Sequence, residues 1–161
     1  MGIGGSWTIH ELGLYEKLKT NGNQVAWHWR DADKEAARRQ ASSSDIYLAS
    51  SNAVTTDGCL VNIDGTGNRV ASMAWGPKEV LLIVGRNKIT ADTTAAVTRI
   101  HEQACGKNAR RLGLQTPCAT LDRCTDCSSP DRMCRIMTTI EKAPHGVGRF
   151  QVYLVDEDLG F

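Results

Sequence analysis

The sequence predicts an α/β fold built on a mostly parallel β-sheet. Apolar segments of strand length alternate with segments of helical spacing, which is the order typical of parallel α/β sheets. The continuous apolar run at residues 80–84 is typical of a strand covered on both faces. The last two predicted strands, at 133–141 and 149–155, form a hairpin, which indicates that one edge of the sheet is mixed.

The first helix is predicted to follow a glycine-rich turn near the N-terminus. Residues 1–5 are typical of a strand end and a tight turn. Thr8 and Glu11 match a capping box, in which Thr8 begins the helix and the Glu11 side chain bonds back to its N–H group. Asn21 and Gly22 are typical of a helix C-terminus, so the helix is predicted to end there.

Turn-forming residues divide the next part of the chain into short elements. Apolar and β-branched segments predict strands, and a charged segment that begins with Asp31 or Asp33 predicts a polar helix. The predicted elements are strands at 24–29, 45–50, 59–63 and 79–84, a helix at 31–41, and a strand or helix start at 69–75.

One long helix is predicted ahead of a cysteine-rich segment. Apolar residues at helical spacing place it at 90–106, and Gly106 and Asn108 are predicted to end it. Cys59 and Cys105 fall on the predicted strand and on this helix. A buried cysteine behaves as a small apolar residue, so both are interpreted as core positions.

Four of the six cysteines lie close together in one turn-rich segment. Their spacing is C-x5-C-x2-C-x6-C, and the prolines and aspartates between them favour a loop. Thiolates are soft anionic ligands, and four of them can enclose Zn²⁺ or an iron–sulfur cluster. A redox-active dithiol or disulfide, and inert thiols, are the alternatives. The predicted ligands of the iron–sulfur cluster or zinc ion are Cys118, Cys124, Cys127 and Cys134.

Length and composition indicate one globular domain. The chain has 161 residues, of which 41% are hydrophobic and 23% charged, and its net charge is +1. No basic block argues for nucleic acid, and no apolar run approaches the roughly 20 residues needed to span a bilayer. No signal peptide is visible, so the expected location is the cytoplasm, where thiols stay reduced.

Two carboxylates in turns are the catalytic candidates. Ligands of α/β proteins bind outside the carboxyl ends of strands, and Asp57 and Asp64 follow predicted strands. Asp57 could act as a base or nucleophile, and Asp64 as a general base or as the partner that orients Arg69. The alternatives are a hairpin turn set by Asp57 and a long turn held by an ion pair of Asp64 and Arg69.

The ligand-binding candidates lie in four polar segments. Glycines let a backbone approach an anion closely, and an arginine can clamp a carboxylate or phosphate. Ordinary turns and helix caps are the alternative interpretation. The four histidines do not pair with one another at metal-binding spacing. The candidates are Gly4, Gly5, Ser6, Thr8, Asn52, Asn68, Arg69, Asn87 and Lys88.

Several motifs resemble the LUD-domain (lactate utilisation) family, and the likeness runs essentially from residue 1 to 161. They are GIGGSWT, ASSNAVTTDGCLVNIDGTGNRVASMAWGPK, VGRNKI, the TPC segment with its three further cysteines, and the closing LVDEDLGF. The chain is similar to the stand-alone, cysteine-bearing branch of the family. The resemblance implies a three-layer α/β/α domain, similar to the sugar-phosphate isomerase and CoA-transferase superfamily.

The resemblance also implies a segment ahead of residue 1. Family members normally carry a further helix and a complete first strand before GIGGS, whereas Met1 falls inside that strand here. A shortened chain would leave a strand edge and apolar surface uncovered. We therefore expect self-association or marginal stability.

The function implied by the resemblance is redox-linked metabolism of a small organic acid. The expected ligand is a small anionic metabolite, and the expected partner is an electron-transfer protein. One alternative is an enzyme of the isomerase or acyl-transferase type, whose metal only staples the cysteine loop. The other is a metabolite-binding module without chemistry.

Overall fold

The computed structural model describes residues 1–161 and divides into two units. The first unit comprises Met1–Ser50, Asn68–Asn87 and Lys142–Gly160, and the second comprises Ser51–Gly67, Lys88–Glu141 and Phe161. None of the helices combines the length and the apolar character needed to cross a membrane. A single domain over the whole chain stays a prediction, as does self-association.

Strands and helices alternate along the chain. The strands are β1 (Gly2–Ile3), β2 (Ile46–Ala49), β3 (Ala53–Thr55), β4 (Leu60–Asp64), β5 (Glu79–Gly85), β6 (Ile89–Thr90), β7 (Ile136–Ile140) and β8 (Arg149–Val155). The α-helices are α1 (Trp7–Glu11), α2 (Leu14–Thr20), α3 (Lys34–Ser42), α4 (Asn68–Ala74), α5 (Thr93–Arg99), α6 (Gly106–Leu112) and α7 (Pro117–Leu121). A 3₁₀ turn at Arg86–Lys88 and a π-helix at Ile100–Cys105 complete the set.

The sheet of the first unit is fully parallel. Its strand order is β1-β2-β5-β8, and each neighbouring pair is parallel. The buried strand predicted at 79–84 is confirmed as β5, in which Val80, Leu82 and Val84 are fully buried. The predicted C-terminal hairpin is wrong, because β8 pairs in parallel with β5 whereas β7 pairs with β4 in the second unit.

Helices cover both faces of this parallel sheet. Strand side chains alternate between the two faces, and Ile3 and Leu48 pack on one of them with Ile9 of α1. On the other face, α3 comes so close that a Cβ on Gly2 would lie 2.4 Å from the carbonyl oxygen of Ala41. The first unit is therefore a three-layer α/β/α arrangement, which confirms the predicted fold class.

The N-terminal helix differs from its prediction. Ser6 is the N-cap, and its Oγ accepts a hydrogen bond from the N–H group of Ile9. The predicted capping box is therefore wrong, because Thr8 lies inside α1 and the hydroxyl of Ser6 already reaches a free N–H group. The helix also breaks into α1 and α2 at Gly13, which adopts a left-handed φ of 62°.

The remaining predictions for the first unit have mixed outcomes. The helix predicted at 31–41 is confirmed as α3, and Asp33 caps it by accepting from two backbone N–H groups. The strand predicted at 24–29 is reduced to one bridge between Gly2 and Ala26, because the chain turns away at the next residues. The segment at 69–75 forms a helix, α4.

A mixed sheet organises the second unit. Its strand order is β6-β3-β4-β7, in which β4 is antiparallel to both neighbours and β3 is parallel to β6. The apolar core beside this sheet includes Ala53, Val61, Ile100 and Cys105. Cys105 is therefore a core residue, as the sequence indicates, although its sulfur has a second neighbour that is described below.

One continuous helical segment packs against this mixed sheet. It runs through α5, the π-helix and α6, and it ends at Gly113, which adopts a left-handed φ of 69°. The prediction that Gly106 and Asn108 end the helix is wrong, because both lie within this segment. Gly106 is a buried position inside it, where the backbone of α7 approaches too closely for a larger residue.

Candidate metal centre

Six sulfur and imidazole side chains line one cavity of the second unit. The π-helix, α7 and the loop between α7 and β7 contribute these donors, so the predicted cysteine segment converges on one place. The lining also includes the charged residues Asp126 and Arg132. The donors are His101, Cys105, Cys118, Cys124, Cys127 and Cys134.

The Cys-x-x-Cys pair sits in a tight turn. Asp126 adopts a left-handed φ of 44°, a conformation that aspartate tolerates better than most residues. This turn directs the N–H group of Asp126 at the Sγ of Cys124, 3.4 Å away. The turn therefore places a fixed backbone donor beside the sulfur of Cys124.

Arg132 connects the backbone at two cysteines of the loop. Its guanidinium donates to the carbonyl oxygens of Cys127 at 2.6 Å and Cys134 at 2.9 Å. It also forms an ion pair with Asp126 at 2.8 Å, and this hydrogen-bonded partner raises the pKa of Arg132. One side chain therefore fixes the backbone beside two of the four predicted ligands.

Polar contacts close the base of the loop. The N–H group of Gln115 donates to Asp131 at 2.9 Å, and the hydroxyl of Ser129 donates to the Gln115 carbonyl at 2.8 Å. Arg110 of α6 pairs with Asp122 at 2.7 Å. These contacts fasten the loop to the helical segment, so its cysteines face His101 and Cys105.

The helical donors contact loop sulfurs directly. The Sγ atoms of Cys105 and Cys134 are 3.3 Å apart, and the Nδ1 atom of His101 lies 3.5 Å from the Sγ of Cys124. Both helical residues belong to the π-helix, a conformation that is found often at functional sites. Sequence reasoning missed them, although their spacing of four residues puts them on one helix face.

The two contacting thiols have opposite pKa shifts. The hydrogen bond with Cys105 lowers the pKa of Cys134 to about 7, and the charge of Arg132 acts in the same direction. The same hydrogen bond, together with burial, raises the pKa of Cys105. Cys105 therefore keeps the shared proton, and negative charge develops on Cys134.

The donor types fit a soft metal, whereas their positions are those of hydrogen-bonded thiols. Thiolates and imidazole suit zinc, and thiolates suit iron–sulfur clusters. No group of three or more His, Cys, Asp or Glu side chains is arranged to hold a metal ion. A metal would therefore have to draw the sulfurs inward from the positions described above.

Replacing Gly106 with alanine is expected to destabilise the second unit by about 1–3 kcal/mol. A Cβ there would lie 2.8 Å from the carbonyl oxygen of Cys118, so the backbone of α7 would have to move. In an uncrowded helix the same change stabilises by up to about 1 kcal/mol. Chemical denaturation measures the difference, with Lys107→Ala as an exposed control on the same helix. A Gly106→Ala protein as stable as the wild type would contradict the close approach.

The predicted anion-binding residues of the first unit are engaged in the fold. Gly4 is needed for packing, because a Cβ there would lie 2.8 Å from the hydroxyl of Tyr47. Ser6 caps α1, and the hydroxyl of Thr8 donates to the carbonyl oxygen of Leu159 at 3.4 Å. Their roles toward a ligand stay predictions.

The other first-unit candidates lie at its turns and helix ends. A Cβ on Gly5 would lie 3.5 Å from the ring of His28, which is an ordinary contact distance. Asn68 begins α4, and the buried Arg69 donates to the carbonyl oxygen of Ser50 at 3.1 Å. Asn87 fixes the C-terminal segment, since its side chain bonds to the backbone of two residues there, Leu159 and Gly160.

The candidates of the second unit outside the loop serve its turns. Asp57 lies in the exposed turn between β3 and β4, where the Thr55 hydroxyl donates to it and lowers its pKa. A lowered pKa makes a carboxylate a weaker base. Asp64 accepts from the N–H groups of Thr66 and Gly67 at 3.1 and 3.0 Å, which stabilises the turn after β4. The catalytic roles of both aspartates stay predictions.

Asn52 and Lys88 are the two remaining ligand-binding candidates of the second unit. The Oδ1 atom of Asn52 accepts from the N–H group of Ile63 at 3.0 Å, and its carbonyl oxygen accepts from Arg99 at 2.9 Å. Lys88 is buried. Neither residue lines the cavity of the cysteines, so the structure separates the predicted metal ligands from these ligand-binding candidates.

The chain resembles known proteins in both sequence and structure. The chain is similar to a solved structure titled as a DUF162 family protein from Deinococcus radiodurans, with 13% identity and a TM-score of 0.46 over 96% of this chain and 85% of the other. No curated protein matches the chain. The family model described as the LUD domain matches residues 1–155, almost the whole sequence. The chain therefore belongs to the LUD-domain family.

Proposed function

We propose that this protein takes part in redox-linked metabolism of a small organic acid and carries a cysteine-ligated iron–sulfur or zinc site in its second unit. One observation carries the proposal. The four cysteines of the predicted metal-binding segment, which extends from Cys118 in α7 to Cys134 before β7, line the same cavity together with Cys105 and His101. Thiols that meet in one cavity are the donor set for a soft metal.

The loop itself supports a metal. No residue at 117–141 is buried, and Met133 and Cys134 are only partly buried against the apolar core of the second unit, so this segment buries little apolar surface. Small segments that cannot bury enough apolar surface are commonly held by a metal or by disulfides. A metal bound by Cys118, Cys124, Cys127 and Cys134 would supply this cross-link.

The charges around the cavity suit the same centre. Four thiolates outweigh the charge of a divalent ion, and the guanidinium of Arg132 lies at the cavity to offset part of the excess. The N–H group of Asp126 adds a fixed donor to Cys124. An iron–sulfur cluster held there would supply one-electron transfer, whereas zinc would supply only structural support.

A small anionic metabolite is the proposed ligand. Lys88 and Arg99 of the second unit are buried cationic side chains, and cationic side chains suit carboxylate or phosphate groups. An electron-transfer protein is the proposed partner of a cluster-loaded form.

The proposal predicts a metal in freshly made protein. Protein expressed and purified without oxygen is expected to contain either zinc or iron with acid-labile sulfide, because the thiols stay reduced and free to ligate. Elemental and sulfide analysis measure both, and sulfide distinguishes a cluster from zinc. Reduction of a dye in the presence of a panel of 2-hydroxy acids then tests the redox role. Metal-free protein whose six thiols all titrate would contradict the proposal.

A second candidate is a non-redox enzyme whose metal only staples the loop. The absence of buried residues at 117–141 favours this candidate as well, because a metal that only cross-links the segment would stabilise it without transferring electrons. Zinc without sulfide, with no dye reduction under any of the acids, would favour this candidate.

A further inference from the structure

We propose that Cys105 and Cys134 are a second redox site, a dithiol that closes to a disulfide between the π-helix and the end of the cysteine loop. It deepens the proposed function, because Cys134 is also a proposed metal ligand. The competition with a metal rests on that function, whereas the thiol–disulfide chemistry of the pair does not.

The geometry favours this pair among the cysteines of the cavity. The Sγ atoms of Cys105 and Cys134 are 3.3 Å apart and belong to residues separated by 29 positions. A disulfide bond is about 2.05 Å long, so the sulfurs need to approach by little more than about 1 Å. The sulfur of Cys124 instead contacts His101 and the N–H group of Asp126.

The two cysteines differ in access, which divides their roles. Cys134 is partly exposed and lines the cavity, whereas Cys105 is 6% exposed and packs in the apolar core. An external oxidant therefore meets Cys134 first. Cys105 is the resolving residue, since it is protected from solvent and already touches its partner.

A low-molecular-weight disulfide is the oxidant class that fits this arrangement. The Cys134 thiolate attacks one sulfur of the oxidant, forms a mixed disulfide and releases a thiolate, which takes up the proton that Cys134 lost. Cys105 then loses its proton, attacks the Cys134 sulfur and releases the second thiol. The formation of the Cys105–Cys134 disulfide removes two electrons from the pair, and these electrons reduce the external disulfide to two thiols.

Disulfide formation and metal binding compete for Cys134. A sulfur in a disulfide is no longer a thiolate, so oxidation leaves a metal only Cys118, Cys124 and Cys127 among the proposed ligands. The disulfide would itself join the loop to the helix. The loop therefore has two alternative cross-links, one made by a metal under reducing conditions and one made by the pair under oxidising conditions.

The test treats reduced, chelator-treated protein with glutathione disulfide, followed by alkylation, intact mass measurement and peptide mapping. We expect a loss of two hydrogens and a cross-linked peptide pair that contains Cys105 and Cys134. Cys105→Ser protein is expected to accumulate the mixed disulfide at Cys134, because no resolving thiol remains. Cys59→Ser protein is the matched control and is expected to behave as the wild type.

Three outcomes would contradict the proposed dithiol of Cys105 and Cys134. They are a cross-link confined to Cys124 and Cys127, no cross-link at all, or a Cys105→Ser protein that forms no stable adduct at Cys134. The wild-type mapping stands on its own if Cys105→Ser fails to fold. If the protein contains no metal but forms the cross-link, the proposed metal centre is contradicted, whereas the proposed dithiol is supported.

Metal-loaded protein tests the competition separately. Zinc-loaded protein is expected to form the cross-link about tenfold more slowly than the metal-free protein, because its Cys134 sulfur is ligated. Equal rates in the two forms would show that Cys134 is not a ligand.

Discussion

Cys124→Ser protein is expected to bind zinc more than about a hundredfold more weakly than the wild type, or to lose the cluster altogether. Changes to groups that only orient ligands cost about 10–100-fold, and the loss of a ligand removes a metal–sulfur bond itself. A serine hydroxyl is neutral and hard, so it does not replace a thiolate toward zinc or iron. The change also removes the acceptor of the Asp126 N–H group. Competition with a chromophoric chelator measures the zinc affinity.

Cys59→Ser is the matched control for this experiment. It makes the same chemical change in the same unit, at a half-buried thiol that does not line the cavity. Its zinc affinity is expected to equal that of the wild type. Similar affinities of the Cys124→Ser and Cys59→Ser proteins would show that the metal, if one is bound, sits elsewhere.

The Cys124→Ser protein also separates the two candidate functions. If the metal is a staple, the loop at 117–135 loses its order together with the metal, and limited proteolysis cuts there first. If the centre is a redox cofactor in a loop that stands without it, the proteolytic pattern stays that of the wild type while dye reduction disappears. A changed proteolytic pattern therefore indicates a structural metal, whereas an unchanged pattern with lost dye reduction indicates a redox cofactor.

The sequence predicted well those elements that local pattern determines. A continuous apolar run identified β5, and a capping aspartate identified α3. It failed where a single atom or a distant partner decides. Ser6 and Thr8 are both good caps, and only the backbone geometry selects Ser6. The predicted final hairpin failed because neighbours along the chain, β7 and β8, pair with strands that are far away in sequence.

For the same reason, only part of the lining of the candidate metal centre could be predicted from the sequence. The spacing of the loop cysteines identifies Cys118, Cys124, Cys127 and Cys134 without any structure, because their chemistry is local. His101 and Cys105 lie on an amphipathic helical segment, where a cysteine that continues the apolar face is indistinguishable from a core residue by pattern. Cys105 in fact occupies both roles, since it packs in the core and its sulfur touches Cys134.

Arg132→Gln is expected to lower the zinc affinity by about 10–100-fold, the range for residues that orient ligands. The guanidinium donates to the carbonyl oxygens of Cys127 and Cys134 and pairs with Asp126, and a glutamine amide is too short and has too few donors to make all three contacts. The backbone of both ligands then loses its anchor. The same chelator competition measures the loss.

Arg123→Gln makes the same change in charge within the same loop and is the control. Its side chain is exposed, and it lies outside the lining of the cavity. If only the net charge of the loop mattered, both variants would lose affinity equally, and the loss would diminish at high salt. If the three contacts matter, Arg123→Gln keeps the wild-type affinity.

Arg132→Lys then separates charge from shape, because lysine retains the charge and lacks the planar fork that spans two carbonyl oxygens. A lysine variant that binds as weakly as Arg132→Gln would assign the effect to the fork geometry, and one that binds like the wild type would assign it to the positive charge.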